Sequence, residues 1–184
     1  MLQVIIPATE RFDESTNTFV YTKEQTLRLE HSLLSISKWE SKWKKPFFSQ
    51  AKEDKTVDET MDYIRCMTLN QNVDPAIYDP NVISGAVLKQ IVDYLKDPMT
   101  ATVITEDKGA ARGRQIVTSE LIYYWMFSFN IPIECEKWHI NRLMTLIRVC
   151  SIKNAPPKKM SKKSIYAQNS ALNAARRKAH HSRG

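Results

Sequence analysis

The hydrophobic pattern of this chain changes its period near residue 32, and this change limits the folds open to it. Before that point lie a β-rich run, Leu2–Ile6, which Pro7 ends, and an alternating stretch from Phe19 to His31. From Leu33 onward, apolar residues recur at helical spacing. Strand patterns followed by helical patterns are typical of α+β folds. We therefore predict an α+β, predominantly helical fold that opens with a small N-terminal strand pair or hairpin.

Three stretches before residue 96 predict the first helices of the core. Leu33–Trp43 has apolar residues at helical spacing, and Pro46 ends it. Thr56 and Glu59 have the spacing of a capping box, in which the hydroxyl and the carboxylate each satisfy a backbone N–H group at the start of a helix. Val82–Leu95 predicts the next helix.

The second half of the chain adds a further hairpin, two helices and a tail. Residues 99–105 alternate like a strand and, with residues 115–117, predict a second short β-hairpin around the loop EDKGAARGR. Residues 118–130 are apolar on nearly all sides, which predicts a buried central helix. We expect one globular α+β domain over residues 1–152, followed by a basic linker and C-terminal helix over residues 153–184.

Residues 133–150 are expected to form one helix, which holds two of the three cysteines and a histidine. On such a helix, Cys135 and Cys150 lie too far apart for a disulfide, and His139 and Cys150 are roughly 16 Å apart along the axis. Cys135 and His139 supply two of the four ligands that structural zinc takes, with Cys66 as a conceivable third. We interpret the segment as core packing, with His139 as a hydrogen-bonded core histidine, and predict no metal site.

Sequence patterns for catalysis are missing from the chain. The phosphate-binding patterns G-x-x-x-x-G-K-[ST] and G-x-G-x-x-G do not occur, and there are four glycines in all. The patterns H-E-x-x-H and G-x-S-x-G do not occur either. The tryptophans and tyrosines fall at helical spacing, which favours core aromatics over a stacking platform for bases. We predict that the protein is not an enzyme, with no catalytic residues and no cofactor.

Charge is divided unevenly along the chain. Residues 137–184 contain twelve Lys or Arg and no Asp or Glu, whereas the preceding residues have a formal charge of −5. Such asymmetry indicates an interaction tail. A solvated end that keeps the protein soluble, contact with nucleic acid, and contact with an acidic protein surface are all compatible with it.

The last helix carries the candidate binding residues. Its apolar stripe is narrow, because its members fall within about 80° of arc and are mostly small, so the helix alone is marginally stable. The stripe consists of Ile165, Gln168, Leu172, Ala175 and Ala179. We expect the segment to become fully ordered on a partner, where charge steers the encounter and the stripe anchors it. The predicted partner-binding residues are Lys158, Lys159, Lys162, Lys163, Ile165, Leu172, Arg176, Arg177 and Lys178.

Several stretches, from about residue 20 onward, together resemble a known family. They are LEHSLLSISKWESKW, ITEDKG followed by RQIVTSELIYYWM, IPIECEKWHINRLMTLIRVC and PPKKMSKKSIYAQNSALNAARR. These stretches resemble the tail assembly chaperones of tailed bacteriophages, a family of virion morphogenesis proteins. The resemblance implies a helix-rich protein that binds the tape-measure protein and keeps its hydrophobic helices soluble while the tail tube polymerises. It brings no catalytic residues with it.

The expected function is therefore that of a non-enzymatic phage morphogenesis protein. Two alternatives stay open: a structural virion component, such as a head–tail connector or a minor capsid or tail protein, and a nucleic-acid-binding protein that uses the basic tail. The expected partners are proteins, with nucleic acid possible through the tail, a homo-oligomer possible, and no membrane. We expect the protein in the host cytoplasm, or in the virion if the structural alternative holds.

Overall fold

The computed structural model of this protein describes residues 1–13, 17–48, 55–104, 116–156 and 161–181. The chain divides into two compact units, Met1–Ser151 and Ile152–Gly184. Six α-helices and two small antiparallel sheets of two strands form the regular structure of the described residues, together with two short 3₁₀ segments. The predicted α+β, predominantly helical class is confirmed.

The four strands form one long ribbon with a break in its middle. They are β1 (Leu2–Ile6), β2 (Thr9–Asp13), β3 (Thr18–Thr22) and β4 (Gln25–Leu29). β1 pairs with β4 and β2 pairs with β3, both antiparallel. Ile6 is paired with Gln25, and Thr9 with Thr22, so the register does not shift across the break. The predicted N-terminal hairpin is confirmed, and it continues into the β2–β3 arm.

The outer edge of β4 is covered by the segment that follows the second helix. Leu69 N donates to Arg28 O at 2.8 Å. The side chain of Asn70 then replaces a strand, because its Oδ1 accepts from Arg28 N at 2.6 Å and its Nδ2 donates to Thr26 O at 3.0 Å. An edge strand with unpaired backbone groups is a site of unwanted pairing, and these contacts close it.

The helices begin at polar residues that satisfy free backbone N–H groups. They are α1 (Leu33–Trp43), α2 (Val57–Met67), α3 (Gly85–Lys96), α4 (Ser119–Ser128), α5 (Ile140–Asn154) and α6 (Lys162–Ala179). The Thr56 hydroxyl accepts from Glu59 N at 3.2 Å, and the Glu59 carboxylate accepts from Thr56 N at 3.0 Å. The predicted capping box at α2 is confirmed. α1 has a similar box between Ser32 and Ser35.

Two tryptophans of α1 connect it to α2. Trp39 is 1% exposed, and its indole N–H donates to Glu59 O at 2.9 Å. Trp43 stacks on Trp39 and donates to the Asp62 carboxylate at 2.9 Å. Each buried indole thus has a hydrogen-bond acceptor, as large aromatic side chains with a polar group require. The sequence predicted that the tryptophans are core aromatics. This prediction is confirmed for Trp39, while Trp43 is partly buried and packs against the core.

A buried carboxylate connects three segments of the first unit. Glu40 of α1 is 8% exposed, and its two oxygens accept from Phe47 N at 2.7 Å and from Ser119 N at 2.8 Å. Ser119 is the first residue of α4, where backbone N–H groups have no partner within the helix. The negative charge therefore lies at the positive end of the α4 dipole, where it is stabilising.

The hydrophobic core lies between the inner face of the β1–β4 sheet and helices α1 to α5. Its buried members come from β1, β4 and all five helices, and they include Ile6, Leu29, Ile36, Ile122 and Leu143. Within the described ranges, the structure contains no helix with both the length and the apolar character needed to cross a membrane.

The second predicted hairpin is not at its expected position. Residues 99–104 form bends and irregular chain, and residues 116–118 are not strand either. Thr102 N donates to the Thr100 hydroxyl at 3.1 Å, so a local turn takes the place of ladder hydrogen bonds there. The expected tip and the rest of the hairpin, residues 105–115, lie outside the described residues. The second two-stranded sheet of the described residues is the β2–β3 arm.

The prediction that residues 118–130 form a helix buried on all sides is wrong. α4 does form, but its buried residues are Ser119, Ile122 and Met126, which lie on one face. Tyr124 and Phe127 are each 64% exposed. Apolar composition therefore overstated the burial of this helix, because large aromatic residues on its outer face look like core residues in a sequence.

Candidate functional site

The predicted partner-binding segment forms a regular helix, α6, in the second unit. The Ser161 hydroxyl caps its start by accepting from Ser164 N at 3.1 Å. At its other end, His180 N donates to Arg176 O at 3.0 Å. None of its eighteen residues is buried.

Seven of the nine predicted binding residues lie on α6, and all seven are exposed. They are Lys162, Lys163, Ile165, Leu172, Arg176, Arg177 and Lys178. The other two, Lys158 and Lys159, lie outside the described residues. The helix thus has cations at both of its ends and an apolar stripe between them.

The apolar stripe of α6 has two large exposed side chains. Ile165 is 44% exposed and Leu172 is 48% exposed, and the seven-residue spacing places them on one face. Tyr166, which sequence reasoning missed, is 75% exposed. It lies about 100° around the helix from Ile165, outside the stripe and on the side that carries Lys162 and Arg177.

The charges of α6 have opposite effects at its two ends. Arg176, Arg177 and Lys178 lie in the last turn, where cations interact favourably with the helix dipole. Lys162 and Lys163 lie in the first turn, and no acidic residue accompanies them there. Because cations at that end oppose the dipole, these two lysines weaken the start of the helix.

The prediction of one helix over residues 133–150 is wrong. Ile133–Lys137 is a 3₁₀ segment, Trp138 is extended with φ −72° and ψ 159°, and α5 begins at Ile140. Cys135 therefore lies before the break and Cys150 lies within α5. The apolar residues of this segment belong to two elements, so the rise of a single helix does not set the distance between Cys135 and Cys150.

His139 lies at the break and has both ring nitrogens satisfied. Asn141 N donates to His139 Nδ1 at 3.3 Å, so Nδ1 carries no proton. Nε2 then holds the proton and donates it to Tyr94 O at 3.1 Å. The interpretation of His139 as a hydrogen-bonded core histidine is confirmed.

A second buried histidine lies against the first. The rings of His31 and His139 are 5.0 Å apart in an edge-on arrangement, and His31 Nδ1 is hydrogen-bonded to the Tyr63 hydroxyl. Burial, with His139 and Lys55 nearby, lowers the pKa of His31 to about 3. Burial also lowers the pKa of His139, although its hydrogen bond to Tyr94 acts in the opposite direction. Both imidazoles are therefore neutral at physiological pH.

The three thiols are free. Cys135 is buried, whereas Cys66 and Cys150 are half-buried. Burial raises the pKa of the Cys66 and Cys135 thiols, which lowers the thiolate fraction needed for nucleophilic attack. Across the ranges that the structure describes, no group of three or more His, Cys, Asp or Glu side chains is placed to hold a metal ion.

A cavity of about 540 Å³ lies between α4 and α5. Its apolar lining comes from Trp125 and Phe129 of α4 and from Met144 and Ile147 of α5. The remaining lining residues are Thr102, Ile104, Thr145, Arg148 and Ser151. Among the described residues that line the cavity, most are apolar, as in pockets that bind small apolar ligands.

Comparison of the chain with protein-family models, with curated proteins and with solved structures found no match.

Proposed function

We propose that this chain is a non-enzymatic protein of phage morphogenesis that binds a partner protein through α6, in the manner of a tail assembly chaperone. One observation carries the proposal. Although α6 has an apolar stripe that includes Ile165 and Leu172, none of its residues is buried. Exposed apolar side chains at helical spacing, flanked by cations, are the pattern of a helix that lies in the groove of a partner.

The tape-measure protein is the proposed partner. Its long hydrophobic helices need cover before the tail tube forms, and the apolar stripe of α6 is suited to such a surface. The five cations of α6 and its lack of acidic residues add attraction to an acidic partner. Such attraction raises the rate of association more than the final affinity, and it weakens as salt increases.

A co-purification experiment tests this proposal. The chain is co-expressed with the affinity-tagged tape-measure protein of the same genome, and the amount recovered is compared with that of a variant truncated after Pro156. We expect the truncated chain to keep its melting transition, because α6 buries no side chain, and to lose the part of the helical circular dichroism signal that α6 provides. Its recovery should fall at least tenfold. Equal recovery of both chains contradicts the role of α6.

Point variants separate the apolar stripe from the general charge of the helix. Leu172→Ser removes an exposed stripe residue, whereas Ala174→Ser makes a polar change on the opposite side of α6. We expect Leu172→Ser to reduce recovery severalfold and Ala174→Ser to leave it unchanged. If the two variants behave alike, the stripe is not the contact surface.

A nucleic-acid-binding function is the second candidate, and the unopposed charge of α6 favours it. Its five cations, without a carboxylate, match the basic face that binds phosphates. Titration of a fluorescent DNA duplex with the full chain tests this candidate. Binding at low salt that falls steeply with salt concentration supports it, because counterion release dominates phosphate contacts. No binding at low salt rejects it.

The structural alternative differs from the chaperone proposal in where the protein ends up. Quantitative mass spectrometry of purified particles and of the infected lysate measures this directly. Abundance in the lysate with absence from particles supports a transient assembly factor in the host cytoplasm. Stoichiometric presence in particles contradicts the chaperone proposal and makes the protein a virion component.

A further inference from the structure

The β2–β3 arm carries three exposed aromatic side chains on one side, and we name this side the aromatic face: Phe12, Phe19 and Tyr21. Phe12 and Phe19 are directly opposite each other in the register, with ring centroids 5.1 Å apart. Tyr21 lies 6.4 Å from Phe19 on the same strand. Their exposed fractions are 45%, 58% and 66%. They form a contiguous apolar patch, in contrast to the scattered exposed apolar residues that are common on protein surfaces.

The aromatic face is exposed, whereas the inner face of the β1–β4 sheet is covered. In that sheet, the paired residues Val4 and Leu27 are covered by the core, and so are Ile6 and Leu29. Side chains alternate between the two faces of a strand, so Thr22 lies on the opposite face of the arm from Tyr21, and Thr22 is 4% exposed. The aromatic face is therefore the outward side of the arm.

The aromatic face of the arm does not pack against the hydrophobic core of the first unit. None of the three aromatic residues belongs to the hydrophobic core or to the described side chains packed against it. A two-stranded ribbon is marginally stable in water unless another strand or a helix covers its apolar face. At the β1–β4 end that cover exists, since α3 packs against β1. The described residues give the aromatic face no such cover.

Charge indicates which kind of helix fits. Glu10 is exposed, is paired with Tyr21 in the register and is hydrogen-bonded to its hydroxyl, so a carboxylate borders the aromatic face. Residues 9–24 contain four acidic and two basic residues. A helix with lysine or arginine beside its apolar stripe is thus complementary in charge as well as in polarity.

Contact between the aromatic faces of two copies of the chain is ruled out on grounds of area. An aromatic side chain has about 150–250 Å² of surface, of which roughly half is exposed at these three positions. Two arms in contact would cover on the order of 500–800 Å² in total. Stable protein interfaces bury about 1,200–2,000 Å². Contact between two aromatic faces is too small for a stable dimer.

We infer that the aromatic face binds an amphipathic helix of a partner protein that carries lysine or arginine beside its apolar stripe. This surface is separate from α6, and the inference does not depend on the proposed function. The arm then provides a second binding element in addition to α6. A partner with such a helix would cover the exposed aromatic face.

A synthetic helix provides the probe. A fluorescent peptide of about 18 residues is made from leucine, alanine and lysine, with the leucines at i, i+3, i+4 and i+7. A second peptide has glutamate in place of every lysine. Fluorescence anisotropy with the full chain measures both, and α6 is present in every variant. We expect the lysine peptide to bind at least tenfold more tightly than the glutamate peptide.

Variants of the arm decide whether the aromatic face is the contact. Phe19→Ser should weaken binding of the lysine peptide at least tenfold. Ile5→Ser is the matched control, because Ile5 is an equally exposed apolar residue of β1, outside the arm. It should leave binding unchanged. Glu10→Lys keeps all three aromatic rings and should reverse the preference between the two peptides.

Hydrogen exchange gives an independent readout. The lysine peptide should slow amide exchange in Thr9–Asp13 and Thr18–Thr22 of the wild-type chain. The inference is overturned if the lysine peptide does not bind, if it binds Phe19→Ser as tightly as wild type, or if the two peptides bind equally. Self-association of the chain that Phe19→Ser abolishes would also overturn it, since the occupant would then be a second copy. A chain truncated after Pro156 that still binds the peptide keeps this inference separate from the role of α6.

Discussion

The carboxylate of Glu40 in α1 accepts a hydrogen bond from the backbone N–H of Ser119, the first residue of α4, at 2.8 Å. Its other oxygen accepts from Phe47 N at 2.7 Å. One buried side chain thus joins two helices that are distant in sequence and fixes the segment that follows α1. Buried charges are tolerated when they are hydrogen-bonded in this way.

Replacing Glu40 tests how much this connection contributes to stability. Glu40→Ala leaves two backbone N–H groups without their acceptor, and we expect the free energy of unfolding to fall by about 2–4 kcal/mol. Glu40→Gln keeps the shape and should cost about 1–3 kcal/mol, because its amide NH₂ group opposes one of the two donors. Urea unfolding followed by circular dichroism measures both. The exposed Glu134→Ala is the control, and a Glu40→Ala chain as stable as this control would contradict the prediction.

The buried histidine pair predicts a loss of stability in mild acid. The folded-state pKa values of His31 and His139 lie below the ordinary value, with that of His31 at about 3. The unfolded chain therefore takes up protons first as pH falls below about 6.5. The stabilisation is fully present above that pH and decreases as pH falls towards the folded-state values. From pH 7.5 to pH 5.5 we expect the free energy of unfolding to fall by on the order of 1 kcal/mol.

Groups from every neighbouring element face this pair. Tyr63 of α2 and Tyr94 of α3 contact the two rings, and Glu30 and Lys55 lie close enough to affect their pKa values. Urea unfolding at each pH should show a shallower pH dependence for His139→Asn than for wild type. The exposed His180→Gln should keep the wild-type dependence. Identical pH profiles for His139→Asn and wild type would show that the pair is not the cause.

The side chain of Asn70 predicts a specific weakness at the edge of the sheet. Asn70→Ala removes both hydrogen bonds to β4, and we expect a loss of about 1–2 kcal/mol in the free energy of unfolding. Amide exchange at Arg28 should also become faster, because its N–H group loses its acceptor. The neighbouring Gln71→Ala is the control and should stay within about 0.5 kcal/mol of wild type. Unchanged exchange at Arg28 would mean that the edge is covered by other groups.

Local patterns predicted those parts of the fold that depend on neighbouring residues. The capping box of Thr56 and Glu59 spans three positions, and the structure contains it. β1 and α1 were predicted from short periodic runs for the same reason. In contrast, the bond between Glu40 and Ser119 depends on how helices pack, and no local pattern records it.

Periodicity failed where two structures share one pattern. A 3₁₀ segment followed by a helix has nearly the same apolar spacing as one helix, so the extended backbone at Trp138 could not be seen. The aromatic residues of α4 were equally ambiguous, since Tyr124 fits a core and a surface equally well in sequence. For the candidate site, charge counting located α6, while the aromatic face was missed because Phe12 and Phe19 are brought together by strand pairing.

The charges in the first turn of α6 predict how its helix content can be changed. Each charge near a helix end alters helix stability by about 0.3–1 kcal/mol at low salt. In a peptide of residues 161–181, Lys163→Glu replaces a cation at the positive end of the dipole, so helicity by circular dichroism should increase. Lys178→Glu makes the same chemical change in the last turn and should decrease it. High salt should reduce both effects, and shifts in the same direction for the two variants would contradict an origin in the helix dipole.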